Sequence, residues 1–227
     1  MYSVLLFDID GTLIRSGGAA KNVIANVLKS KFGISLPIMD INFGGRTDQS
    51  LIKEIFHKNE IPLTAAAMEI FRTEYLNSLR TSMSQCHGEV LPGVCELLAS
   101  VSDSSVAVGL LTGNIREAAF IKLGFYGLDS YFAFGGFGDD GELRGQIAEV
   151  ALKRAEKYMQ GSVAASEVLI IGDTPADVEC ARHIGVHCLA VATGYCEQEE
   201  LKEAGPDHYW ADLSDSKRFL SLLNTKY

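Results

Sequence analysis

Short apolar runs that stop abruptly at polar residues constrain this chain more than any other feature. Residues 4–7 read Val-Leu-Leu-Phe and end in Asp-Ile-Asp-Gly; similar runs occupy 106–111, 168–171 and 187–191, with a weaker one at 131–134. Continuous apolarity over so few residues is the mark of a strand covered on both faces, as in a parallel sheet beneath helices. Helical patterns at about 94–100, 115–123, 147–158 and 176–184 fall between the runs. Strand and helix in alternation predict an α/β fold, a doubly wound, mostly parallel sheet with a Rossmann-like core and helices on both faces.

One interval departs from the alternation. Between the first run and residue 106 the chain carries helical patterns at 19–32, 48–57 and 64–83 and no convincing strand. A crossover does not need so much chain, so an all-helical cap inserted at about residues 16–84 is expected, with the catalytic core formed by 1–15 and 85–227. Its borders, Arg-Ser-Gly-Gly at 15–18 and the polar stretch 84–89, suit hinges.

Composition narrows the partners. With 227 residues, 47% of them hydrophobic, the chain can build a substantial interior, and a formal net charge of -9 gives it no general attraction to nucleic acid or anionic membranes. An anionic ligand must then be held by local donors or a metal. The five cysteines, Cys86, Cys95, Cys180, Cys188 and Cys196, lack the short spacings of a zinc site and read as reduced thiols. The histidines at 57, 87, 183, 187 and 208 likewise show no ligand spacing. No apolar stretch approaches the roughly 18 residues of a membrane span, and the first residues have neither basic flank nor cleavage site. A cytoplasmic protein with no nucleic-acid or membrane partner is expected.

In open α/β sheets ligands bind beyond the carboxyl ends of the strands, which directs attention to the residues after each run. Asp8 and Asp10 follow the first. At i and i+2 they project to one side of an extended chain, and Gly11 permits the turn that leaves both at the sheet edge. Two such close charges repel unless a cation or a shared proton relieves them. Thr112-Gly113-Asn114 follows the second run and leads into a helix, whose N-terminal amides and dipole suit phosphate; Thr or Asn there also serves as an ordinary N-cap. Gly172-Asp173-Thr174-Pro175-Ala176-Asp177 follows a later run, with Asp173 placed to reach the same point as Asp8 and Asp177 a helical turn further on. Alternatively, Asp173 caps that helix and Asp177 complements its dipole.

The ordered set FDIDGTL, LLTGN and IIGDTPAD resembles the first, second and fourth motifs of the haloacid dehalogenase-like hydrolase superfamily, in its phosphoglycolate phosphatase-like branch with a helical cap. The resemblance implies that Asp8 attacks phosphorus and becomes an aspartyl-phosphate, while Asp10 protonates the leaving oxygen and then activates water. It implies Mg2+ held by Asp8, the Asp10 backbone carbonyl and Asp173, with Asp177 ordering the metal's water shell or a cationic partner. Thr112 and the amides of Gly113 and Asn114 would hold the phosphoryl oxygens. The family's third motif, usually Lys-Pro, has no counterpart here. Arg144 in Glu142-Leu143-Arg144-Gly145-Gln146 is the candidate for its charge-stabilising role, with Lys153 as the alternative. In the cap, Gly44-Gly45-Arg46-Thr47-Asp48 resembles a specificity loop: Arg46 either reaches a second anionic group or lies beside a helix capped by Thr47.

The expected activity is a magnesium-dependent phosphatase acting on a small phosphorylated metabolite, phosphoglycolate- or sugar-phosphate-like, in a monomer or homodimer. A β-phosphoglucomutase-like phosphotransferase is the competing reading, and a catalytically silent interaction module a third. Dehalogenation is disfavoured, because by the same resemblance those enzymes lack the acid at position 10.

Overall fold

Val4, Leu5, Leu6 and Phe7 are all inaccessible to solvent, as a strand covered on both faces requires. The computed structural model describes residues 1–102 and 104–224. In chain order the first elements are β1 (Val4–Phe7), β2 (Ile14–Arg15), α1 (Ala19–Phe32), α2 (Asp48–Lys58), α3 (Ala65–Gln85) and β3 (Glu89–Val90). Then come α4 (Val94–Ser102), β4 (Ala107–Leu111), α5 (Arg116–Phe125), β5 (Phe134–Gly136), α6 (Arg144–Met159) and β6 (Val168–Gly172). The last are α7 (Pro175–Ile184), β7 (His187–Val191), α8 (Gln198–Glu203), β8 (His208–Trp210) and α9 (Ser216–Leu223).

Six strands form one parallel sheet in the order β5-β4-β1-β6-β7-β8. The α/β class expected from the alternation is therefore the observed one. Side-chain alternation splits the interior in two: Leu5, Phe7, Leu169 and Ile171 join α4 and α9 on one face, while Val4, Leu6, Val168 and Ile170 join α6 and α7 on the other. From β1 the chain winds outward to β4 and β5, then returns to β6 on β1's other flank and winds out the opposite way. This reversal makes the carboxyl end of β1 the switch point where an open sheet forms its binding crevice. Phe7 pairs with both Leu110 and Ile171, so Asp8, Thr112 and Asp173 leave the sheet at nearly the same level.

The three helices α1, α2 and α3 share an apolar cluster, built from residues such as Val27, Ile55, Phe56, Phe71 and Leu79, that also takes in Ile115, Ala118 and Ile121 of the α5 region. Their ends are set locally. Thr47 Oγ1 accepts the Ser50 amide at 3.1 Å and Thr64 Oγ1 accepts the Ala67 amide at 3.1 Å, each supplying the N-terminal acceptor a helix start needs. The flanks expected as hinges meet at an antiparallel pairing, Ile14 with Val90 and Arg15 with Glu89. Among the described residues, no helix is long and apolar enough to cross a membrane.

Some local expectations are corrected. The run at 131–134 is not a strand throughout: Asp129–Tyr131 is a 3-10 turn, and the strand is Phe134–Gly136. Glycines read locally as breakers, yet Gly136 lies so close to α6 that a Cβ there would sit 2.4 Å from the Ile147 carbonyl. The short pieces β2, β3, β8 and α8 carry too few residues for a visible period, whereas α9, whose buried Phe219, Leu222 and Leu223 do follow a helical spacing, was not expected.

Candidate active site

Gly11 shows how tightly the first turn is drawn against its neighbours. Its φ is 92°, and a Cβ there would stand 2.3 Å from Asp173 Oδ2, so no other residue fits without displacing that carboxylate. Thr12, from the same turn, donates its hydroxyl to Asp173 Oδ1 at 3.1 Å. The ends of β1 and β6 are thereby tied together, and Asp8, Asp173 and Asp177 each offer a carboxylate oxygen within 4.8 Å of the others.

This concentration of charge is barely solvated: Asp8 is 7%, Asp173 4% and Asp177 0% exposed. Burial, and then the Asp177 carboxylate, push Asp8 up to about 7, against the opposing pull of Arg144. Burial followed by the charges of Asp8 and Asp177 raises Asp173 well above the ordinary carboxylate range. Carboxylate oxygens so arranged are the donor set a hard divalent cation takes, and such a cation would relieve the repulsion.

Arg144 opens α6, and its guanidinium bonds Asp177 Oδ1 and stands 3.9 Å from Asp8 Oδ1. Its side chain is 11% exposed, and it stays cationic because Asp177 and Asp8 outweigh the desolvation that burial imposes. Lys153, the alternative, is an exposed residue on the same helix and stands outside the cluster. Asp177 also accepts from the Thr174 amide at 3.1 Å and the Thr174 hydroxyl at 2.8 Å, so it caps α7 and holds Arg144 at once.

Asp10 has separate partners. Its Oδ2 accepts from Asn114 Nδ2 at 2.8 Å and from Lys122 Nζ at 2.6 Å. Burial pushes this carboxyl up, but Lys122 and these hydrogen bonds outweigh it, and Asp10 is held below the usual range. The Asn114 side chain is committed within the protein to Asp10, to Thr112 Oγ1 at 2.9 Å and to Lys122 at 2.6 Å. The Asn114 amide points to Thr112 Oγ1 at 3.3 Å, whereas the Gly113 amide makes no hydrogen bond among the described residues.

The helical cover reaches the site through residues 46–48. The Asp48 amide donates to the Gly113 carbonyl at 2.8 Å, and Asp48 Oδ2 accepts the Ile115 amide at 2.8 Å, completing the start of α5. A Cβ on Gly113 would lie 2.0 Å from the Arg46 carbonyl. The Arg46 guanidinium bonds Glu54 and the Ser50 carbonyl, the latter at 3.2 Å, and Thr47 caps α2, the arrangement of the second of the two readings offered for Arg46. Between cover and sheet lies a cleft of about 810 Å³, lined among others by Asp8, Asp10, Thr112 and Arg144.

Sequence reasoning missed Lys122, Asp48 and Thr12. A signal for Lys122 existed: it stands four residues after the buried Ala118, on the inward face of α5, where a cation needs a partner. Asp48 was visible only as the last residue of the segment Gly44-Gly45-Arg46-Thr47-Asp48.

Sheet and site together define an α/β enzyme class with an acidic centre at the switch point and a helical cover above it. The chain belongs to the haloacid dehalogenase-like hydrolases, whose family profile matches residues 5–191. It is 27% identical over 213 residues to a phosphoglycolate phosphatase of Synechococcus elongatus, covering 93% of each chain. It is 24% identical to a putative pyrophosphatase PpaX of Caldanaerobacter subterraneus, across 93% of this chain and 91% of that protein. Among solved structures, CbbY from Rhodobacter sphaeroides in complex with phosphate superposes with a TM-score of 0.78 at 15% identity, covering 95% of this chain and 96% of that one. At that identity the likeness establishes a common fold.

Proposed function

We propose that this hydrolase is a magnesium-dependent phosphatase that cleaves a small phosphorylated metabolite, phosphoglycolate- or sugar-phosphate-like, through an aspartyl-phosphate on Asp8. The observation that carries the reading is the convergence of Asp8, Asp173 and Asp177 within 4.8 Å, with Arg144 against two of them. The names of the phosphatase relatives favour the same chemistry.

In the first step an Asp8 oxygen bonds to phosphorus, the ester P–O bond breaks, and the departing oxygen takes a proton from Asp10, which has to enter the step protonated against the pull of Lys122. In the second, water bonds to phosphorus while Asp10 recovers its proton from that water. The Asp8–phosphorus bond breaks, and free phosphate leaves with the enzyme restored. Arg144 holds positive charge beside the nucleophile throughout, and Thr112 with the Gly113 amide supplies donors for phosphoryl oxygens. Asp8, Asp173 and the Asp10 carbonyl would hold Mg2+, whose charge offsets that of the approaching ester.

Phosphate release from phosphoglycolate, sugar phosphates and pyrophosphate, with magnesium and with excess chelator, tests the reading. Release that requires magnesium and disappears in a folded Asp8→Asn variant supports it. Undiminished turnover by Asp8→Asn excludes the covalent role, and an isomeric sugar phosphate formed without free phosphate replaces hydrolysis by a mutase reaction.

A further inference from the structure

The two carboxylates of the first turn are served by different cations. Arg144 attends Asp8, whereas Asp10 is gripped by Lys122 from α5, a lysine 3% exposed whose ammonium also bonds Asn114 Oδ1 at 2.6 Å. Its neighbours on the helix, Ala118, Ala119, Ile121 and Leu123, are apolar and buried. An ammonium in such surroundings is expensive to desolvate, and it is held there by what it touches: an apolar side chain in its place would leave the Asp10 carboxylate, and the Asp48 carboxylate nearby, without their cation.

Lys122 Nζ and Asn114 Nδ2 both meet the same oxygen, Oδ2 of Asp10. Two donors on one oxygen fix the carboxylate plane. The Asp10 side chain nevertheless remains 39% exposed and lines the cleft, with the Ser16 hydroxyl as a further neighbour. We infer that Lys122 is a positioning residue: together with Asn114 it anchors Oδ2 so that Oδ1 faces the reacting ester oxygen. The inference rests on the proposed phosphatase reaction, in which Asp10 hands a proton to the departing oxygen. A carboxyl free to rotate would lose the alignment that such a transfer needs.

Leaving groups of different basicity separate this from a merely structural role. An alkyl oxygen must be protonated as it departs, whereas 2,4-dinitrophenolate leaves without a proton. Steady-state kcat/KM is measured for phosphoglycolate, glucose 6-phosphate and 2,4-dinitrophenyl phosphate in the wild type, Lys122→Met and Lys122→Gln. For the alkyl ester that the wild type cleaves, both variants are expected to lose about 30- to 100-fold, within the range of general acid catalysis. The dinitrophenyl ester should lose much less. The ratio between esters does not depend on how much of a variant folds, so poor folding cannot imitate the result. Equal losses for both ester types, or no loss with the alkyl ester, overturn the positioning role and leave the phosphatase reading intact. A wild type that cleaves none of the esters overturns that reading and this inference with it; one that cleaves only the dinitrophenyl ester overturns the inference alone.

Discussion

At the scale of single residues, Asp48 belongs to the helical cover but spends its hydrogen bonds on the core. Burial, opposed by Lys122 and the Ile115 amide, raises its carboxyl from 3.8 to about 6. The native state therefore binds this proton more tightly than the unfolded chain does. The associated stability is full below 3.8 and is lost as pH rises through about 6. Asp48→Asn should flatten this part of the stability profile, and urea midpoints of wild type and variant between pH 4 and 7 would check it. A wild-type slope unchanged by the substitution would contradict the assignment. Asp8, Asp10 and Asp173 could be singled out in the sequence because each directly follows an apolar run or its turn. Lys122 could be placed on the inner face of α5 by its spacing from Ala118 but not paired, since the pattern that makes α5 a helix says nothing about which carboxylate lies opposite that face.

At the scale of elements, the second motif and the start of α2 meet backbone to backbone, the Asp48 amide on the Gly113 carbonyl. Gly113→Ala would drive a Cβ to 2.0 Å from the Arg46 carbonyl, so one of the two segments must move. A loss of about 1–3 kcal/mol in unfolding free energy is expected. Because the displaced segment carries the bond from Asp48 to Gly113, kcat/KM should fall as well. Denaturant titration and phosphate-release kinetics on the same variant measure both, and wild-type values for both would show that the junction yields freely. Helix positions were legible from caps and periodicity. The end of β5 was not: Gly135 and Gly136 resemble a turn until Leu110 of β4 is packed against the first and α6 against the second.

For the whole molecule, sheet order brings together acidic groups that are distant along the chain. Without a cation those charges oppose folding; with one they would become its ligands. Magnesium at about a hundred times its Kd should add about 2.7 kcal/mol, or roughly 5–10 °C in Tm for a chain of this size. Asp173→Asn should melt higher than the wild type in chelator, because a buried like charge is gone, and should gain little from magnesium. Thermal melts of both proteins, with and without the metal, decide the point. A magnesium response that survives the substitution would place the ion elsewhere.

The sequence alone determined the alternating α/β plan, the helical insertion expected after the first strand, and the carboxylates at the strand ends. These depend on local periodicity and on residues adjacent to each run. Tertiary structure alone decided the pairings: Lys122 with Asp10 across 112 positions, Asp48 with Ile115 across 67, and Arg144 with Asp177 across 33. No period in the chain encodes them. They follow from placing β1 between β4 and β6, which carries side chains from separate helices to one edge of the sheet, where burial makes each charge seek a partner.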